Sequence, residues 1–138
     1  MSDTTAVLTA DDRLTLQTAA HGVVVLMAAS DPGAISSAKA GMAAGKALSS
    51  ATGLTGRVLA EKPKGLKLDG SSTADIADRV FDAIRRSLAL LDAKAPEETD
   101  NFRATLTVAM RAAQHARPGA NPAQAAMADK IAGILDGA

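Results

Sequence analysis

One stretch of the chain decides the fold class: residues 73–94, which read TADIADRVFDAIRRSLALLDAK. Apolar side chains recur in this stretch at spacings of three and four residues, at Ile76, Val80, Ile84, Leu88 and Leu91. An α-helix turns once every 3.6 residues, so this spacing gathers the apolar side chains into one stripe. The sequence therefore predicts a helix over residues 73–94 with one face packed on a hydrophobic core.

Outward from this helix, five further segments carry helix signals. Alanine, which loses no side-chain entropy in a helix, is the most abundant residue of the chain. Proline at a first helical position marks a helix start, and so does a hydroxyl or amide side chain just before the helix. Ser36 or Ser37 is the predicted cap of the second helix. The predicted helices span residues 10–30, 37–51, 54–61, Pro96 to about Gln114 or Arg117, and 122–135.

The first of these helices is predicted to be the centre of the fold. Thr9 and Asp12 have the spacing of a reciprocal capping pair at its start. Its apolar residues widen toward the C-terminal half until they surround the helix, which indicates burial on all sides. The apolar run over 19–29 contains His21 and is shorter than the about 20 residues that a bilayer requires, so we expect a core helix.

These features predict an all-α fold: a compact, single-domain bundle of about six helices around a central, buried N-terminal helix. A chain of 138 residues has the usual size of one domain, so residues 1–138 are assigned to a single domain. Residues 1–8 are expected to be flexible. Residues 62–71, rich in Lys, Gly and Pro, are expected to form a surface loop.

The composition argues against two classes of function, nucleic-acid binding and membrane binding. Fifteen basic and fifteen acidic side chains cancel, which removes the general electrostatic attraction to nucleic acid or to an anionic membrane. Two phenylalanines are the only aromatic residues, so base stacking is not expected either. The absence of cysteine fits a reducing compartment, and the acidic, polar N-terminus is unlike a signal peptide. We therefore expect a cytoplasmic protein that binds neither nucleic acid nor membrane.

Small residues in the second helix invite comparison with a phosphate-binding loop. Gly41, Gly45 and Lys46 have three residues between the glycines, no Ser or Thr after the lysine and no preceding strand. A phosphate-binding loop requires four intervening residues and both of the other features. The pattern favours a packing face that another backbone can approach closely.

Titratable residues give further candidates. His21 and His115 could meet in space, but a histidine on an apolar helix is usually a core residue. Asp75, Asp78 and Asp82 share a helix face and could bind a hard cation, although arginines four residues further on favour solvated ion pairs.

A basic group is the last of these candidates. It comprises Lys62, Lys64 and Lys67 together with Arg85 and Arg86, and it could contact an acidic partner, although solvation is the plainer interpretation. Neither it nor the other groups forms a recognisable catalytic constellation.

Three segments together resemble the tellurite-resistance TerB-like helical family. They read AASDPGAIS at 28–36, FRATLTVAMRAAQ at 102–114 and NPAQAAMADKIAGIL at 121–135. In that family a helix of small apolar residues closes with Ala-Asp-Gly and an isoleucine, and a later helix leads into a Ser-Pro-x-Glu helix start. The resemblance covers about half of the chain.

The resemblance implies an all-helical bacterial protein associated with stress response, with acidic metal-binding positions near the two helix junctions. Asp31 matches the junction aspartate, although Pro32 intervenes before Gly33. Gln124 stands where the family has glutamate, so a neutral amide replaces a charged ligand. Asp31 is therefore the candidate metal residue that the resemblance supplies.

We expect a stress-related helical structural or interaction module that associates with itself or with a protein partner. The alternative is a TerB-like divalent-cation-binding protein that uses Asp31. An enzyme of unidentified class ranks third, and no catalytic residue, no cofactor and no particular small-molecule ligand is predicted.

Overall fold

A computed structural model describes residues 7–61, 68, 72–116 and 121–137. These residues form six α-helices and one 3-10 turn, and no strand. The helices are α1 (Ala10–Ala29), α2 (Ala34–Ser49), α3 (Gly53–Ala60), α4 (Thr73–Lys94), α5 (Thr99–His115) and α6 (Pro122–Gly137), with the 3-10 turn at Pro96–Glu98.

The predicted all-α, single-domain fold is confirmed, because the described helices pack around one hydrophobic core. α1 contacts each of the other five helices, and its residues Ala19, Ala20, Val23 and Leu26 are fully buried. Val24 and Val25 are only half-buried, so the apolar surface of α1 is not covered on every side. None of the described helices is long and apolar enough to cross a membrane.

The predicted bounds agree with the structure best for residues 73–94, and they differ most at the start of α2. That helix begins at Ala34 rather than at residue 37, because Gly33 occupies the capping position that the sequence had suggested for Ser36 or Ser37. The fifth helix also differs, since Glu98 N–H bonds to the Ala95 carbonyl three residues back and makes the first turn a 3-10 turn.

Two segments of the expected organisation fall largely outside the described residues. Of the expected loop 62–71, only Leu68 is described, and it packs against the core. Of the expected flexible segment 1–8, Val7 and Leu8 are described, and Leu8 is buried.

The predicted capping pair at the start of α1 forms as expected. Thr9 Oγ1 accepts from the Asp12 amide at 3.0 Å, and Asp12 Oδ2 accepts from the Thr9 amide at 3.0 Å. Lys94, in the last turn of α4, also donates to Asp12 Oδ2, and this hydrogen bond is the main reason why the pKa of Asp12 is lowered. One carboxylate therefore caps α1 and joins it to α4.

α1 and α4 run antiparallel and pack tightly against each other at Gly22. Their direction follows from two contacts in reversed order: Asp12 with Lys94, and Ser87 Oγ with the Thr15 carbonyl. A Cβ atom added at Gly22 would lie 2.3 Å from Val80 Cγ2, which is closer than any real contact of this kind. The hydrogen side chain at position 22 therefore sets the distance between the two helices.

α3 receives its N-terminal cap from a distant part of the chain. Its own N-cap residue, Thr52, makes no side-chain capping bond. Instead Glu98 Oε1 accepts from the Thr55 amide at 2.8 Å and from the Thr55 hydroxyl at 3.1 Å. Asn101 Nδ2 donates to the Thr52 carbonyl at 2.9 Å. Gly53, with φ +70°, leaves room for the Glu98 carboxylate, which a Cβ there would touch at 3.0 Å.

We predict that Gly22→Ala lowers the free energy of unfolding by about 1–3 kcal/mol, because the added methyl group overpacks the contact with Val80. Chemical denaturation followed by circular dichroism measures this change. Gly133→Ala in α6 is the matched control: nothing lies within 4 Å of its added Cβ. The control should stabilise the protein by about 0.5–1 kcal/mol. A neutral or stabilising effect at Gly22 would contradict the packing described here.

Candidate interaction surface

α2 has two faces of very different character. One face, which includes Ala40, Ala44 and Leu48, is buried in the core, and the most extensive helix pairing in the described structure is that between α2 and α5. The opposite face is open to solvent. We call this second face the α2 seam and define it as Ile35, Ala38, Lys39, Met42, Gly45, Lys46 and Ser49.

Two large apolar side chains stand out on the α2 seam. Ile35 and Met42 are each 75% exposed, the highest values among the large hydrophobic residues described as exposed. They are seven residues apart, which is two helical turns, so they lie above each other on the same face. Scattered exposed apolar residues are ordinary, but two on one line of a helix that is otherwise firmly packed indicate a contact surface.

The glycines of α2 do not serve the close packing within the chain that the sequence suggested. A Cβ added at Gly41 would make only an ordinary contact of 3.6 Å with Ala28 Cβ. A Cβ added at Gly45 would meet nothing within 4 Å. The prediction of a close backbone approach at this pair is therefore wrong within the described chain. Gly45 instead leaves a recess on the α2 seam, between Met42 and Ser49.

Val108 of α5 is another exposed apolar side chain, at 53% exposure. It lines a groove of about 210 Å³ between α2 and α5, together with Ala47 and Ala104 among other residues. None of the residues that line this groove belongs to the α2 seam, so the groove is a separate feature of the surface.

Asp31, the candidate metal residue, lies buried between α1 and α2. The residue is only 5% exposed. Oδ1 accepts from the Gly33 amide at 3.0 Å and from the Ser36 hydroxyl at 2.7 Å. This carboxylate therefore orders the turn between the two helices and stabilises the start of α2, where acidic groups interact favourably with the helix dipole.

Gln124 docks α6 on the end of α1. It is 1% exposed, and its Nε2 donates to the Met27 carbonyl at 2.9 Å, one turn before Asp31. The backbone N–H of Gln124 donates to Asn121 Oδ1, and this hydrogen bond caps α6. A glutamate, as in the TerB-like pattern, has no N–H to donate to the Met27 carbonyl at neutral pH. The amide at position 124 thus has a structural role that a carboxylate cannot take over.

Among the described residues, no group of three or more His, Cys, Asp or Glu side chains could hold a metal ion. Asp75, Asp78 and Asp82 are exposed on α4, and Asp82 pairs with Arg86 at 3.0 Å. That pair agrees with the solvated interpretation of this helix face. Metal binding at Asp31 stays a prediction.

The two histidines occupy different environments. His21 is half-buried on α1, and its buried Nε2 makes no hydrogen bond in the described part of the chain. Burial lowers the pKa of His21 below 6.5, because the charged imidazolium loses hydration there. His115 is exposed in the last turn of α5.

The remaining candidates are basic residues. Lys62, Lys64 and Lys67 lie outside the described residues, while Arg85 and Arg86 are exposed on α4. Lys46 is exposed on the α2 seam, as expected for a solvated lysine.

Sequence patterns missed two features that the structure shows. The seven-residue spacing of Ile35 and Met42 opposite the Ala40, Ala44 and Leu48 face was a usable signal for the α2 seam. The cap that Glu98 provides to α3 had no such signal, because its partners lie 43 residues apart.

Comparison with family models, with curated proteins and with solved structures gives no match for this chain. The resemblance to the TerB-like family therefore stays a prediction, and the fold and its surfaces are the basis for assigning a function.

We predict that Gln124→Glu lowers the free energy of unfolding at pH 7.5 by about 1–3 kcal/mol, since the Met27 carbonyl loses its donor and a carboxylate is buried. Millimolar Ca²⁺ or Mg²⁺ should leave this loss unchanged. Gln114→Glu, at a half-buried position of α5, is the control. Recovery of stability with the cation, abolished by Asp31→Asn, would instead favour the cation-binding alternative.

A second prediction concerns pH. The folded pKa of His21 lies below the unfolded value of 6.5, so the native state favours the neutral ring. As pH falls below about 7, His21 becomes protonated in the unfolded chain but stays neutral in the folded chain. The free energy of unfolding therefore decreases by at most about 1.4 kcal/mol per pH unit. His21→Gln should remove this slope, and His115→Gln should retain it. Equal slopes in wild type and His21→Gln, measured by denaturation at several pH values, would contradict the prediction.

Proposed function

We propose that this protein is a helical interaction module, without enzymatic activity, that binds another protein surface through the α2 seam. The observation that carries the proposal is the exposure of Ile35 and Met42, each 75%, on one face of a helix whose other face is buried. Covering such a face removes apolar area from water, and this burial is favourable by roughly 25 cal/mol of free energy per Å².

The architecture supports this use of α2. Two helices hold α2 in place, because it pairs extensively with α5 and also contacts α1. Ser37 Oγ donates to the Ala28 carbonyl at 2.7 Å, which ties the first turn of α2 to the end of α1. A surface on a firmly held helix loses little conformational freedom on binding, so less of the binding free energy is spent on ordering it.

The proposed setting follows from the sequence. We place the module in the cytoplasm of a bacterium, with a role in stress response, on the basis of the cysteine-free composition and the TerB-like segments. Divalent-cation binding at Asp31 is the alternative function, and its basis is the resemblance of residues 28–36 to the TerB-like family.

Site-specific photo-crosslinking in cells of the native host tests the proposal. With p-benzoylphenylalanine in place of Met42, we expect a covalent adduct above 13.9 kDa, because position 42 lies at the centre of the seam. The same amino acid in place of Ala126, exposed on α6, is the control and should give no comparable adduct. Light scattering of the purified protein reports self-association. A strict monomer that forms no adduct at position 42 would overturn the proposal.

A further inference from the structure

The α2 seam has the residue pattern of a helix-pairing surface. Large and small residues alternate along it at spacings of three and four, in the order Ile35, Ala38, Met42 and Gly45, and the small Ser49 follows four residues later. These are the a and d positions of a heptad, the positions that pack knobs into holes between two helices. The small residues at d leave recesses between the large side chains, and a partner helix can fill such recesses.

Lysines flank this stripe. Lys39 and Lys46 are both exposed and occupy the e position of successive heptads. Side chains at e and g lie at the edge of a helix pair and interact with charges on the partner. Residues 34–49 contain no Asp or Glu. The seam is therefore cationic as well as apolar, without an acidic group of its own to balance the two ammonium charges.

Pairing of this helix with a second copy of itself leaves Lys39 and Lys46 without an opposite charge. In an antiparallel pair e positions face e positions, so Lys39 would oppose Lys46 of the other copy. In a parallel pair e faces g, and the g residues Gly41 and Leu48 offer no carboxylate. Like charges across an interface reduce affinity, whereas opposite charges raise the association rate and select the partner.

We infer that the partner of the α2 seam is a different protein, one that presents a helix whose apolar stripe is edged by Asp or Glu side chains. This inference rests on the proposed function and specifies its partner. A carboxylate opposite each of Lys39 and Lys46 would complete the charge balance, while the partner's apolar side chains cover Ile35 and Met42. An anionic bilayer would satisfy the lysines but would gain nothing from the recesses at Ala38 and Gly45.

Reversal of the two lysine charges, in the variant that carries the photo-crosslinking amino acid, tests the inference. With p-benzoylphenylalanine at position 42, the double variant Lys39→Glu/Lys46→Glu should lower the adduct yield by about tenfold, because attraction becomes repulsion. The matched control is Arg111→Glu/Lys130→Glu, which makes the same change of charge at exposed positions of α5 and α6 and should keep the yield. Circular dichroism verifies that both variants fold. Mass spectrometry of the adduct should identify a partner with an acidic amphipathic helix.

The outcomes distinguish a failure of the proposed function from a failure of the inferred partner. No adduct at position 42 in the wild-type background means that the proposed function itself fails. An adduct that is insensitive to the double charge reversal overturns the inferred partner and leaves the interaction surface in place. An adduct of twice the mass of the chain identifies a second copy and also overturns the inference. Co-sedimentation with vesicles containing phosphatidylserine, lost in the Lys39→Glu/Lys46→Glu variant, would do the same in favour of lipid.

Discussion

The close contact between Gly22 of α1 and Val80 of α4 is the constraint on which the rest of the bundle depends. These two helices form one of the two most extensive pairings of the described structure, and their separation at this point leaves no room for a methyl group. α1 also contacts every other helix, so its distance from α4 fixes where the others can pack. A core poor in aromatic side chains needs such approaches, because small residues fill space only when backbones are near each other.

Much of the fold could be predicted because its signals are local. The helix at 73–94 agrees with its predicted bounds: Ser72 caps it, a three-and-four spacing runs along it, and Pro96 follows its end. The capping pair of Thr9 and Asp12 is local in the same sense. By contrast, the start of α2 depends on how Asp31 orders the turn before Gly33, and a serine further along the sequence was the more obvious cap.

The candidate surface was harder to predict, because α2 consists mainly of alanine, glycine and serine and its two faces differ little in polarity. Only the packing against α5 and α1 shows which face is left open. The glycines illustrate the same difficulty. Gly41 and Gly45 have a suggestive spacing and Gly22 has none, yet Gly22 is the residue at the close contact. Which glycine meets a neighbour is a property of the tertiary structure.

The Glu98 cap has a consequence for the order in which the chain acquires its structure. α3 is only eight residues long, and helices of that length are unstable in water without outside support. Packing against α1 and α2 supplies part of this support, and the N-terminal cap comes from a side chain 43 residues further along. During synthesis from the N-terminus, α3 therefore leaves the ribosome before the residue that caps it exists. The N-terminal cap of α3 is therefore added only once Glu98, just before the start of α5, has been synthesised.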